Sequence, residues 1–120
     1  MNDVPILDEA ALARLDEWGG DKLRIQMVRL YIENARTRLG QLDEGLADGG
    51  DIRTAELAAH SLKSSAANVG MMRVSALASL IETATESGNA EAARAATNEL
   101  RAAVREGESV IAEFIATEDD

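Results

Sequence analysis

Between Gly20 and Asp48 the chain reads DKLRIQMVRLYIENARTRLGQLDEGLA (residues 21–47), and apolar residues recur in it at Val28, Tyr31, Ala35, Leu39, Leu42 and Leu46. Every step along that series is three or four residues, which is how a helix of about 3.6 residues per turn keeps one side apolar. A seam this long belongs to a bundle helix and calls for partners. Gly40 and Gly45 fall inside it and are expected to weaken it locally.

The punctuation on either side sets the remaining elements. Towards the N-terminus, Asp8 is placed to cap a short helix running through Ala11, Leu12 and Leu15 to about Trp18, where Gly19-Gly20 stops it. Towards the C-terminus, Asp48-Gly49-Gly50-Asp51 breaks the pattern, with Asp51 as N-cap of a third helix that ends near Val69 at Gly70. A fourth helix, from about 72 to 87, carries Val74, Leu77, Ile81 and Ala84 on one stripe, and Gly88-Asn89 closes it and starts the next. The fifth repeats the seam as Ala93, Ala96, Leu100, Ala103, Gly107, Val110 and Phe114, before an acidic end at Glu118-Asp119-Asp120 that is expected to fray.

The expected class is all-α. Four amphipathic helices joined by turns too short to cross a bundle predict an antiparallel up-down-up-down arrangement, with the short first helix capping one end. Composition agrees, since alanine and leucine abound, the aromatic residues are only Trp18, Tyr31 and Phe114, and the single proline stands at position 5. The 120 residues make one domain, ordered from about 6 to 115.

Charge and missing residue types remove whole classes of function. Twenty-two acidic residues against twelve basic ones give a formal net charge of −10, which argues against binding a nucleic-acid backbone or an anionic membrane. The absence of cysteine excludes a disulfide framework, a thiol nucleophile and a thiolate metal site, and suits a reducing compartment. Met1-Asn2-Asp3-Val4-Pro5 is no basic region leading into an apolar run, and no stretch reaches the length of a membrane span. The expected localisation is cytoplasmic, and the expected state a monomer.

What remains is one histidine. In residues 57–70, Leu-Ala-Ala-His-Ser-Leu-Lys-Ser-Ser-Ala-Ala-Asn-Val-Gly, helical phase puts Ala58, Leu62, Ala66 and Val69 on one side together with Ala55, and turns His60 almost directly away from them, towards water. Glu56, Lys63, Ser64 and Ala67 share its side at i−4, i+3, i+4 and i+7. A lone helical histidine is ordinarily just a solvated side chain, but this one is flanked by a cation, an anion and small residues.

The segment His60-Ser61-Leu62-Lys63-Ser64-Ser65-Ala66-Ala67-Asn68-Val69-Gly70 resembles the signature of histidine-containing phosphotransfer (HPt) domains: histidine, any residue, an aliphatic, lysine, small residues, and glycine ten positions on. The similarity extends from Ile6-Leu7-Asp8 to about Phe114. It implies a phosphorelay intermediate of two-component signal transduction, with His60 as phosphoacceptor and Lys63 beside the phosphoryl group. Ser64 stands where many HPt domains have glycine, a departure that bears on how closely a partner's backbone can approach. Glu82 matches a position where such domains often carry glutamine or glutamate close to the ring, and it would hold Nδ1–H so that Nε2 is free. Glu56, on the histidine's own helix, competes for that role. Ser65 falls nearer the packed flank and reads as a packing residue.

The chemistry fits the residues. An exposed imidazole titrates near pH ~6.5, so at neutrality a ring nitrogen is available to attack phosphorus and form a labile phosphoramidate. Charge spreads over the equatorial oxygens in phosphoryl transfer, so a nearby cation and hydrogen-bond donors matter most. No glycine-rich phosphate loop or kinase nucleotide motif accompanies the histidine, so autophosphorylation is not expected. The resemblance implies receiver domains of a hybrid histidine kinase and of response regulators as partners, with Mg²⁺ held by the receiver and no cofactor here. Leu57, Ser61, Ser64, Ala67 and Asn68 form the expected docking face for a modest, transient interface. A metal–carboxylate bundle would need several ligands, typically Glu-x-x-His pairs, and one histidine does not make that pattern. An adaptor bundle without phosphotransfer, and the phosphoacceptor domain of a larger chemotaxis-type or hybrid kinase, are the alternatives.

Overall fold

The computed structural model describes residues 4–116. It contains α1 (Glu9–Leu46), α2 (Ile52–Asn68), α3 (Met72–Glu86), α4 (Ala90–Ile111) and the single turn α5 (Glu113–Ala116), with no strand among the described residues. The acidic end that the sequence expects to fray falls outside those residues, as does the chain start at 1–3.

The first and second predicted helices are one kinked element. Gly20 (φ 69°, ψ −166°) is its one residue outside the helical region, and the chain re-enters the helix at Asp21. A positive φ is open to glycine and strained for residues bearing a Cβ, so the Gly19-Gly20 pair bends the helix where a stop was expected. The arm at 9–19 buries Ala11, Leu12 and Leu15. It is tied to the turn after α2, where the Asp8 amide donates to the Gly70 carbonyl at 2.8 Å. Gly70 is required there, because φ is +80° and a Cβ would meet the Asp8 carbonyl oxygen at 2.3 Å.

The capping aspartates behave as expected: Asp8 accepts from the Ala10 amide at 3.1 Å and Asp51 from the Arg53 amide at 3.0 Å. Asn89 does the same for α4, accepting from Ala92 at 3.1 Å. With turns this short, α1 packs on α2, α2 on α3 and α3 on α4, and a lesser α1–α4 contact closes the four-helix bundle. Leu42, Leu62, Met71, Leu77, Ile81, Leu100 and Ile111 are its largest fully buried side chains.

Several expected core positions shift. Leu39, Ala84, Ala96 and Val110 are only half-buried, while Thr85 and Thr97 are buried in the stripes of α3 and α4. Each threonine satisfies its hydroxyl on its own helix, Thr97 on the Ala93 carbonyl at 2.8 Å and Thr85 on that of Glu82 at 2.9 Å. That removes the cost of burying it. The fifth predicted helix ends at Ile111, so Phe114 reaches the core from α5. There its carbonyl accepts from Nε of the buried Arg24 at 3.3 Å, and the same guanidinium grips Asp16 at 2.6 Å. Gly45 is a close contact, not a weak point: a Cβ on it would stand 2.7 Å from the Ala55 amide nitrogen and 2.9 Å from the Asp51 carbonyl oxygen. Glycine there lets the start of α2 press against α1. Gly40 has open space around it.

Candidate functional site

The alanine-rich side of α2, with Ala55, Ala58, Ala59, Leu62 and Ala66, is buried against its neighbours. Small side chains bring α3 close, and the opposite side of α2 is left facing water. His60 stands on that side with its side chain 62 % exposed.

The ring is held from the next helix. Nδ1 of His60 lies 2.6 Å from Oε2 of Glu82, and the other oxygen of that carboxylate, Oε1, accepts from Nζ of Lys63 at 2.6 Å. One carboxylate on α3 therefore bridges the histidine and the lysine one turn beyond it on α2. Glu82 is only 14 % exposed, whereas Lys63 is 35 % exposed. The hydrogen bond from Lys63 is the largest influence on the Glu82 carboxyl and lowers its pKa, burial opposes it, and His60 lowers it further. The net shift is downwards, so Glu82 is a carboxylate at neutral pH. A carboxylate is acceptor-only, so neutral His60 donates Nδ1–H and carries its lone pair on Nε2.

Glu56, the competing carboxylate, instead takes Arg53 at 3.2 Å. The choice between the two acids rests on the approach of α3, which helical phase on α2 does not contain.

The expected docking residues all lie on α2, from one turn before His60 to the helix end. Leu57 is 55 % exposed, Ser64, Ala67 and Asn68 are exposed, and Ser61 is half-buried. Ser65 does pack inwards, accepting from Nδ2 of Asn34 on α1 at 2.9 Å. On this α1-facing edge Ser61, Ser65 and Asn68 share a crevice of about 280 Å³ with Met27, Leu30, Tyr31 and Asn34. The α1 wall of that crevice is absent from the sequence reading. Its signal was Met27 and Leu30, apolar residues adjoining the α1 seam that the seam does not use, Leu30 being 51 % exposed. No group of three or more His, Cys, Asp or Glu side chains is arranged to hold a metal among the described residues, and no helix there is long and apolar enough to cross a membrane.

The fold is shared with solved phosphotransfer proteins. Histidine-containing phosphotransfer protein B of Pseudomonas aeruginosa superposes with a TM-score of 0.87 at 21 % identity, covering 94 % of this chain and 96 % of that one. A histidine-containing phosphotransfer protein of maize gives 0.85 at 21 % identity over 95 % and 86 %, and one from Medicago truncatula 0.76 at 16 % over 95 % and 82 %. No curated protein matches the sequence. The family model for the Hpt domain matches residues 26–109, a span that holds most of the long arm of α1, all of α2 and α3 and most of α4. With the bundle and the outward histidine both in place, that match means that the chain belongs to the Hpt domain family, the phosphotransfer intermediates of two-component phosphorelays.

Proposed function

We propose that His60 is the phosphoacceptor, taking a phosphoryl group from the aspartate of one receiver domain and passing it to that of another. The observation that carries this is the 2.6 Å contact of Nδ1 with Glu82 on a ring 62 % exposed, which leaves Nε2 as the solvent-facing nucleophile. In the forward step Nε2 forms the N–P bond as the P–O bond of the aspartyl phosphate breaks and the carboxylate departs with its electron pair. The imidazole becomes cationic, and Glu82 faces that charge. Lys63 holds Glu82 in place and keeps further N–H donors for phosphoryl oxygen, lowering the cost of the charge gathered there. The step reverses when a second receiver presents its aspartate.

Docking would use Leu57, Ser61, Ser64, Ala67 and Asn68 together with the α1 wall of the crevice. The receiver would supply Mg²⁺ from its own acidic pocket, so this chain works as a monomeric carrier without a nucleotide site or cofactor. A receiver of a hybrid kinase upstream and one of a response regulator downstream, both in the cytoplasm, complete the relay.

The test is incubation of the purified protein and of His60→Gln with a panel of phosphorylated receiver domains. Acid-labile label on the wild type and none on the variant is the expected result. A wild type that stays unlabelled throughout, or a variant that labels equally, overturns the assignment.

A further inference from the structure

The two in-plane bonds of an imidazole's nitrogens diverge widely, so fixing one nitrogen aims the other. Nδ1 of His60 is turned sideways to Glu82 on α3. Nε2 therefore points outwards and tilts to the other side of the ring, away from α3.

The contacts of α2 identify what lies on that side. Lys63 belongs to the α3 edge, where its side chain meets Glu82 and its carbonyl accepts from Ser75 at 2.9 Å. Ser61, Ser65 and Asn68 belong to the α1 edge, lining the crevice with Met27, Leu30 and Asn34. At about 100° per residue, Ser64 comes one turn after His60 and is rotated from it towards the α1 edge, opposite in sense to Lys63. Side chains at i and i+4 are neighbours on a helix surface. Ser64 is exposed, and its hydroxyl makes no hydrogen bond within the described residues, whereas that of Ser65 is engaged by Asn34.

We propose that the Ser64 hydroxyl donates a hydrogen bond to the phosphoryl group on Nε2 of His60, from the side opposite Lys63. This rests on His60 being the phosphoacceptor. The phosphoryl oxygens then sit between an ammonium on the α3 edge and a hydroxyl on the α1 edge, and Ser64 is a catalytic residue of this chain as well as part of its docking face. The contact belongs to the phosphoryl group and not to the protein that delivers it, so it persists with a donor too small to dock.

Phosphoramidate is such a donor. Nε2 attacks phosphorus, the P–N bond breaks, ammonia leaves with its electron pair, and Glu82 faces the ring cation. The rate of label uptake from phosphoramidate is measured for the folded full chain and for Ser64→Ala, Ser64→Thr and His60→Gln. Ser64→Ala is expected to accept about three- to tenfold more slowly, the worth of one ordinary hydrogen bond, with Ser64→Thr recovering at least part of the loss. Ser64→Ala at or above the wild-type rate, or Ser64→Thr no better than alanine, overturns the proposal. A wild type that takes no label, or His60→Gln that takes as much, instead removes the phosphoacceptor assignment beneath it.

Discussion

Replacing Glu82 by alanine should slow phosphoryl acceptance at His60 and leave the bundle standing, and the two contacts it makes set the size of each effect. In the proposed step, attack through Nε2 would leave a positive ring, which the carboxylate would face across 2.6 Å. A hydrogen bond with one charged partner contributes about 1.5–3 kcal/mol. Water reaches a ring that is 62 % exposed, which screens the pair and places it at the low end of that range. About 1.5 kcal/mol corresponds to roughly a tenfold slower rate. Glu82→Gln keeps an oxygen for Nδ1–H without the charge and should fall between the two.

Stability should respond far less to the same substitution. Lys63 is 35 % exposed and is hydrated readily once released, so losing its 2.6 Å contact should cost under about 1 kcal/mol. That contribution also has a definite pH dependence. Lys63 first, and then His60 against the opposing effect of burial, hold the Glu82 carboxyl below its ordinary range in the folded chain. The unfolded chain then binds the proton more readily, so the stabilisation is complete above the unfolded value of about 4.3 and drains away as pH falls through the lower folded one. Rapid-quench transfer from a phosphorylated receiver measures the rates, and thermal melts of wild type and Glu82→Gln at neutral and acid pH measure the rest. Wild-type transfer by a folded Glu82→Ala protein would refute the role of the bridge.

Two further perturbations test the packing. Gly40→Ala, in open space, should stabilise by about 1 kcal/mol through helix propensity. Gly45→Ala, whose Cβ would press on the backbone at Asp51 and Ala55, should destabilise by about 1–3 kcal/mol. Urea melts that moved both variants in the same direction would contradict the close α1–α2 contact. Tyr31 is 2 % exposed with a hydroxyl that has no hydrogen-bond partner, and burial, then the charge of Glu108, pushes its pKa up. Tyr31→Phe should be neutral or stabilising by up to about 1 kcal/mol, and a loss of more than that in the same melts would count against an unpaired hydroxyl.

Much of this protein was determined locally, and so was legible in the residues alone. Glycine and aspartate punctuate at short range, which is why Asp8, Asp51, Gly70 and Gly88-Asn89 mark element ends without reference to the rest of the chain. Helical phase is equally local, and it turned His60 to water before any neighbour was known. The all-α class and the order of the helices followed from seams and short turns. Tertiary packing decided the rest, because it depends on which side chains from distant segments arrive at the same place. It made Gly45 a contact and Gly20 a bend, admitted Thr85 and Thr97 to the core once their hydroxyls found carbonyls, and brought Met27 and Leu30 alongside Ser61. It also chose between two carboxylates that the sequence offered to the imidazole. Glu56 is nearer along the chain, but α3 packs on the alanine-rich side of α2 closely enough to carry Glu82 to Nδ1, and that approach aims Nε2.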